Sequence, residues 1–407
     1  MAAGQASARG LNVILLEKKH LPARKLGITG KGRCNLTNTA DIDQFLSSFG
    51  SGAKFMRFAL GFFGNNDLIE FFHKLGVETV VERGGRVFPA AQDARIVVRS
   101  LINWTKQQGV IIKPNITVKK IICENERVSG VVINESRCTR KCSDQAEIIT
   151  GQNIVVATGG SSYPATGSTG DGYILARDMG HEITPVQPAL VPLETREDTA
   201  SKMQGLSLRN VQAEIFIQGK KKAKGFGEML FTHFGVSGPI ILSLSKIAVQ
   251  ALNQNQKVML LIDLKPAVSH ALLKERIARV MHQQGKKKLV NILKEFLPLK
   301  MISVFLENSG INPDKPGNLV TAEEQKKLRL WCKELQMEIS GCRSFAEAII
   351  TSGGIRLSEV NPRTMESRKI RGLYFAGEVL DIDADTGGFN LQAAFSTGWV
   401  AGNSVCP

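Results

Sequence analysis

Residues 11–19 read LNVILLEKK, a short apolar run closed by an acid and two lysines. A run of this length suits a strand buried on both faces of a parallel sheet. In dinucleotide-binding folds, a carboxylate ending such a strand accepts hydrogen bonds from the adenosine ribose hydroxyls. Glu17 has that setting, with Lys18 beside it; the competing reading is a solvated charge at a strand end. The fingerprint G-x-G-x-x-G should precede the strand. Only Gly4 stands where its third glycine would fall, and Met1 occupies the place of the second. The first strand of the sheet and the first two glycines are therefore expected to be missing, as in a truncated or wrongly started chain. The alternative is that residues 1–10 are a surface helix.

Downstream, residues 24–38 read RKLGITGKGRCNLTN and suggest glycine-rich turns. Closely spaced glycines, Gly32 among them, let backbone N–H groups approach a phosphate. Arg24, Lys25, Lys31 and Arg33 are candidate countercharges. Cys34 is a candidate redox thiol, against the alternative of a packed side chain. Residues 67–76 and 95–108 carry apolar positions at helical spacing. Residues 77–88 read as a hairpin turning at Gly84-Gly85, and 110–112, 116–122 and 127–133 as short β-rich runs. An apolar strand at 153–157 runs into ATGGSSYPATGSTGDG (157–172). The small residues there permit close backbone approach to a ligand at a strand's carboxyl end. Strand and helix thus alternate over residues 1–186, with a β-ribbon inserted, the pattern of a doubly wound α/β domain.

Residues 187–264 predict a β-barrel-like domain with a lysine-rich tip at 220–224, completed by a strand near 337–351. Residues 265–336 read as a helical module. Residues 352–407 return to strands and glycine turns, so the middle of the chain is expected to be an insertion. The closing block is GLYFAGEVLDIDADTGGFNLQAAFSTGWVAG (372–402). A strand ends at Gly377-Glu378, an acidic loop follows, and Gly387-Gly388 opens a helix. N–H groups at a helix start attract negative charge, such as develops at the N1/O2 side of a reduced flavin. Asp381, Asp383 and Asp385 are spaced like part of a calcium loop. The glycine and terminal glutamate of such a loop do not follow at the required places, so no metal is expected.

GITGKGRCNLTN (27–38), ATGGSSYPATGSTGDGY (157–173), LFTHFGVSGPIIL (230–242) and GEVLDIDADTGGFNLQAAFSTG (377–398) together resemble the BaiN / aminoacetone-oxidase-like family of FAD-dependent oxidoreductases. The resemblance covers nearly the whole chain. It implies an α/β protein: a Rossmann-like, two-dinucleotide-type FAD-binding domain interrupted by an inserted β-barrel and a helical module. It also implies bound FAD and NAD(P)H as reductant. Gly4 resembles the last fingerprint glycine, Glu17 the ribose acid, and Val118 the residue whose backbone meets adenine. Ala157, Thr158 and Gly159 resemble a second FAD contact. Gly377 and Glu378 stand where an acid meets the ribityl chain, and Gly388, Asn390 and Leu391 where amides meet the flavin edge. Lys18, Arg24, Lys25, Gly32, Arg33, Cys34 and Asn35 complete the expected cofactor set. The missing first strand and glycines are the departure from the family pattern.

The 407 residues are 43% hydrophobic and 22% charged, which excludes disorder and coiled coil as the main state. A formal charge of +15 raises nucleic acid or acidic lipid as partners. The lysine runs at 220–222 and 286–288 are short, far apart and lack interleaved aromatics. They are read as solvated faces, and no specific nucleic acid is expected. Seven cysteines without regular spacing favour a reducing compartment over a disulfide scaffold. Cys138 and Cys142 lack the further ligands that zinc requires. The start of the sequence is not that of a secretory signal, and no stretch has the roughly 20 mainly apolar residues of a membrane span. A cytoplasmic location is expected. His233 is a weak catalytic candidate against a structural role. The resulting reading is an oxidoreductase acting on a small molecule. Its flavin is reduced by NAD(P)H or a reduced substrate and reoxidised by an unsaturated acceptor or oxygen. The alternatives are a flavin-free fragment, or a basic RNA- or membrane-surface protein on the same scaffold.

Overall fold

The computed structural model describes residues 1–135 and 147–406; Cys138 and Cys142 lie outside the described residues. The chain forms two compact units, one of Met1–Gln187 with Ile349–Pro407 and one of Pro188–Ala348.

In the first unit the apolar run near residue 14 becomes the strand Ile14–Glu17, paired in parallel with Ile111–Pro114. A second parallel pair joins Ile154–Val156 to Leu373–Phe375, so the C-terminal block returns to the N-terminal half. Parallel strands require long crossovers, usually helical. The helix Ala94–Gln107 is such an approach, capped by the Asp93 carboxylate, which accepts from the Arg95 N–H at 2.9 Å. Among the described residues the two parallel pairs are not hydrogen-bonded to each other. An antiparallel ribbon of Ile116–Glu124, Arg127–Glu135 and Glu147–Thr150 follows the first pair. Val118 lies inside this ribbon, at a register shift between Val118 and Lys120.

One local expectation changes. Residues 24–38 are not all turns: Arg24–Gly32 is helical, with a break at Thr29, Gly30 and Lys31. Arg, Lys and Leu at its start favour helix, and the glycines end it. Gly4 lies in the helix Ala2–Ala8, where a Cβ would come within 2.3 Å of the Trp104 ring. It serves close packing inside the unit. Phe63, Phe71, Phe72, Trp104, Phe395 and Trp399 surround this contact, with Phe63 stacked on Trp399 at 4.4 Å. Fully burying one such aromatic contributes roughly 1.5–3 kcal/mol.

The helix Phe389–Ser404 has buried residues around much of its circumference. Its buried polar groups are satisfied: Gln392 Nε2 donates to Ser396 Oγ at 3.0 Å, and Ser396 Oγ donates to the Phe63 carbonyl at 2.6 Å. Such pairing avoids the cost of an unmade buried hydrogen bond.

The second unit is a closed six-stranded barrel ordered Leu193–Thr195, Gly235–Ser237, Lys220–Phe231, Ser207–Ile217, Val258–Asp263 and Leu335–Cys342. Alternate residues such as Val211, Ala213 and Ile215 fill its interior. The expected lysine tip at 220–224 is strand instead. The turn is Gln218-Gly219, both with positive φ, and Ile217 pairs directly with Lys220. A two-residue turn of that hand matches strand twist and lets pairing run to the end. Barrel and helices share one core, in which Ile277, Met301 and Leu328 pack with Leu260 and Met337. The barrel and helical module therefore form a single unit. Lys333 and Asp263 make a buried ion pair at 2.5 Å.

Candidate cofactor-binding site

In the first unit three chemistry-bearing segments stand at carboxyl ends of parallel strands: Glu17, the turn 157–160, and Gly377-Glu378. This is where open α/β sheets bind ligands. A polar knot ties the second and third of these segments together. Lys25 Nζ pairs with Glu378 and donates to Ser162 Oγ at 2.5 Å. Glu378 Oε1 accepts from Ser162 Oγ at 3.0 Å and from the Thr351 N–H at 2.7 Å. Thr351 Oγ1 in turn accepts from the Ser161 and Ser162 amides at 2.8 and 3.1 Å. Four stretches remote in sequence thus meet at one carboxylate. The approach is close: a Cβ on Gly160 would lie 2.4 Å from Thr351 Oγ1.

Glu17 is half-buried, and burial pushes its carboxyl above the usual range despite the Lys19 N–H and the nearby Arg24, Lys19 and Lys18 charges. Its Oε1 accepts from the Lys19 N–H at 2.7 Å. A desolvated carboxylate at a strand end gains most from hydroxyl donors. Lys18 reaches across to Thr169 Oγ1 at 2.5 Å and Asp171 at 2.6 Å. Burial opposes the Asp171 charge, but the Lys18 and Thr169 hydrogen bonds outweigh it and hold the carboxyl below the usual range. Ala157 and Thr158 are exposed at the end of their strand.

The mouth of the Phe389–Ser404 helix is built by the segment 35–38. Asn35, its amide oxygen turned to the helix, accepts from the Gly388 N–H at 3.0 Å. Asn38 Nδ2 donates to the Gly387 carbonyl at 3.0 Å, and Thr37 Oγ1 donates to Gln392 Oε1 at 2.6 Å. Gly388 has φ of 102° and sits so close that a Cβ would lie 2.3 Å from the Thr37 carbonyl oxygen. No side chain caps this helix. Asn390 folds back on the acidic loop, accepting from the Ala384 N–H at 2.9 Å, and the Leu391 side chain joins the core around Cys34. The backbone N–H groups at residues 389–391 are therefore available to an anionic group.

Two expected members stand apart. Arg33 is turned to the hairpin 79–89, bonding Glu82 and Gln92 at 2.8 Å and lying 4.3 Å over the Phe88 ring. Its charge is spent there. Cys34 is fully buried with φ of 61°. Burial pushes its thiol up to about 12, so it remains a protonated packing group. Val118 lies at its bulge in the ribbon and Gly32 borders open space, with nothing within 4 Å of a Cβ. His233 is exposed in the second unit, in edge contact with Phe234. Sequence reasoning assigned no role to Ser162 or Thr351. The available signal was a threonine in a strand, Ile350–Ile355, whose every residue is buried.

The donor set fits a flavin dinucleotide: a desolvated strand-end carboxylate, exposed backbone at 157–158, and an uncapped helix mouth. The model of the family described as HI0933-like protein Rossmann domain matches residues 1–404. A 3-dehydro-bile acid delta(4,6)-reductase from Clostridium scindens is 30% identical over 97% of this chain and 92% of its own length. A ribosomal RNA dihydrouridine synthase from Escherichia coli is 27% identical over 99% of this chain and 93% of its own. Among solved structures, a 3-ketosteroid delta1-dehydrogenase from Sterolibacterium denitrificans matches 99% of this chain and 97% of its own with TM-score 0.52 at 13% identity. A 3-ketosteroid-delta4-(5alpha)-dehydrogenase from Rhodococcus jostii matches 99% of this chain and 94% of its own with TM-score 0.51 at 14% identity. These two likenesses are of fold. Among the described residues no helix is long and apolar enough to cross a membrane.

Proposed function

The chain belongs to the HI0933-like Rossmann family, and from that premise we propose that it is an FAD-dependent reductase of electron-poor carbon–carbon double bonds, drawing electrons from NAD(P)H. The observation that supports the cofactor is the meeting of Lys25, Ser162, Thr351 and Glu378 beside two parallel-strand ends. The acceptor class rests on chemistry shared by the named relatives. A bile-acid dienone and a uracil ring both hold an alkene conjugated to a carbonyl. Reduction adds a hydride and a proton across that bond, while NAD(P)H gives up the two electrons.

FAD, when bound, takes up an electron pair as hydride and passes it on at its ring. The residues do the holding. Glu17 accepts from ribose hydroxyls, with Lys18 fixed to Asp171 beside it. The N–H groups at 389–391 oppose negative charge at the ring edge, and Asn35, Thr37 and Asn38 hold that mouth in place. Lys25 neutralises Glu378, so no lone carboxylate repels an electron-rich ring.

The test is spectroscopic. Purified protein incubated with excess FAD should keep a flavin band through gel filtration. The band should bleach anaerobically with NADH or NADPH and return when a conjugated enone is added. Glu17→Gln should weaken FAD binding about tenfold or more, because a hydrogen bond to a charged group contributes about 1.5–3 kcal/mol. Protein that keeps no flavin would overturn the cofactor. Reduced flavin that only oxygen reoxidises would overturn the acceptor.

A further inference from the structure

The lysines at 220–224 have a neighbour that a linear reading hides. Lys220, Lys221 and Lys222 are all exposed beside a register shift; from Lys222 on exposure alternates, and Lys222, Lys224, Phe226 and Glu228 stand on the outward face. Strand period two sets successive members roughly 6.6 Å apart. Phe226 is 63% exposed, large for an aromatic on a barrel wall. Lys221 is neutralised by Glu214, whereas Lys222 and Lys224 make no ion pair with the described residues. Arg209, 79% exposed, lies on the adjoining strand and reaches Glu228 only at 4.0 Å. Among the described residues, the strand Gly235–Ser237 pairs with Lys220–Phe231 at Leu230 and Phe231 alone, and with Leu193–Thr195 on its other side. The edge along 220–229 therefore has no strand partner there.

We propose that this strip is a docking surface for single-stranded RNA, with Lys222 and Lys224 meeting successive phosphates and Phe226 stacking on a base. Charge complementarity selects a polyanion, and the exposed ring in line with the cations selects one with unpaired bases. Edge lysines also discourage strand-to-strand aggregation. An exposed phenylalanine works against that purpose, so the aromatic separates the two explanations. The inference is independent of the flavin reading, because it is tested by binding alone.

The probe is a fluorescent oligouridylate, titrated by anisotropy over a series of salt concentrations. Wild-type protein should bind it more tightly than a duplex DNA of equal length. Removing two phosphate contacts in Lys222→Ala/Lys224→Ala should lower the salt slope by about 1.4. Phe226→Ala should weaken binding about tenfold and leave the slope unchanged. All three side chains are exposed, and unchanged thermal melts will confirm that the variants fold. Four results would each overturn the proposal: no binding, equal affinity for duplex, variants that bind like wild type, or Phe226-dependent capture by anionic lipid vesicles without RNA binding.

Discussion

His181 engages both ring nitrogens in the first unit, Nδ1 with Glu359 at 3.1 Å and Nε2 with Ser367 Oγ at 2.9 Å. Burial holds its pKa below the ordinary value, against the pull of Glu359. Burial also opposes the Glu359 charge, but Lys369 and the Glu182 N–H prevail and hold that carboxyl low. Both shifts have the same consequence. The unfolded chain binds a proton at His181 at higher pH than the native one does, so this stabilisation is complete above about pH 6.5 and is lost as pH falls below it. The Glu359 contribution is lost in turn as pH falls below the ordinary carboxylate range. Urea midpoints should therefore drop between pH 7.5 and 5.5, and His181→Asn should flatten that drop. A variant with an unchanged acid limb would assign the loss to other groups. Cys34 obeys the same rule of burial. A motif-like cysteine reads as reactive in sequence, and only its desolvation shows the thiol to be inert.

One substitution has opposite effects in two elements. Gly388 opens the Phe389–Ser404 helix at φ of 102°, with its Cβ position 2.3 Å from the Thr37 carbonyl. Gly388→Ala must push that mouth away from the segment 35–38. A cost of roughly 1–3 kcal/mol or more follows from strain alone, and FAD retention should fall with it. Gly61 lies exposed in the helix Ala53–Phe62, where nothing stands within 4 Å of a Cβ. Gly61→Ala should stabilise by about 0.5–1 kcal/mol, since alanine removes backbone freedom only from the unfolded chain. Denaturant midpoints measure both. If Gly388→Ala is neutral or stabilising, the helix mouth is not the close contact described.

Across the whole molecule, what was legible in the sequence was whatever local pattern encodes. The apolar run ending at Glu17, the hairpin at Gly84-Gly85 and the helix opened by Gly387-Gly388 needed only periodicity and turn chemistry. What was hidden came from the folding together of distant segments. Lys25 and Glu378 are partners only because Leu373–Phe375 pairs with Ile154–Val156, and Arg33 looks free until Phe88 is placed beneath it. Phe226 joins the lysines through strand alternation. Division into two units makes a linkage measurement informative. Trp104 and Trp399 lie in the first unit and Trp331 in the second. The indole N–H of Trp331 is buried without a partner among the described residues, so Trp331→Phe removes an unmade hydrogen bond at little cost. Its remaining fluorescence reports the first unit alone. FAD at about a hundred times its Kd adds about 2.7 kcal/mol to the state that binds it. That corresponds to a rise of roughly 5–10 °C for a unit of this size. The residues proposed to hold FAD all belong to the first unit, so its melt in the Trp331→Phe protein should move by this amount. An unmoved transition at saturating FAD would place the cofactor outside the glycine-lined strand ends.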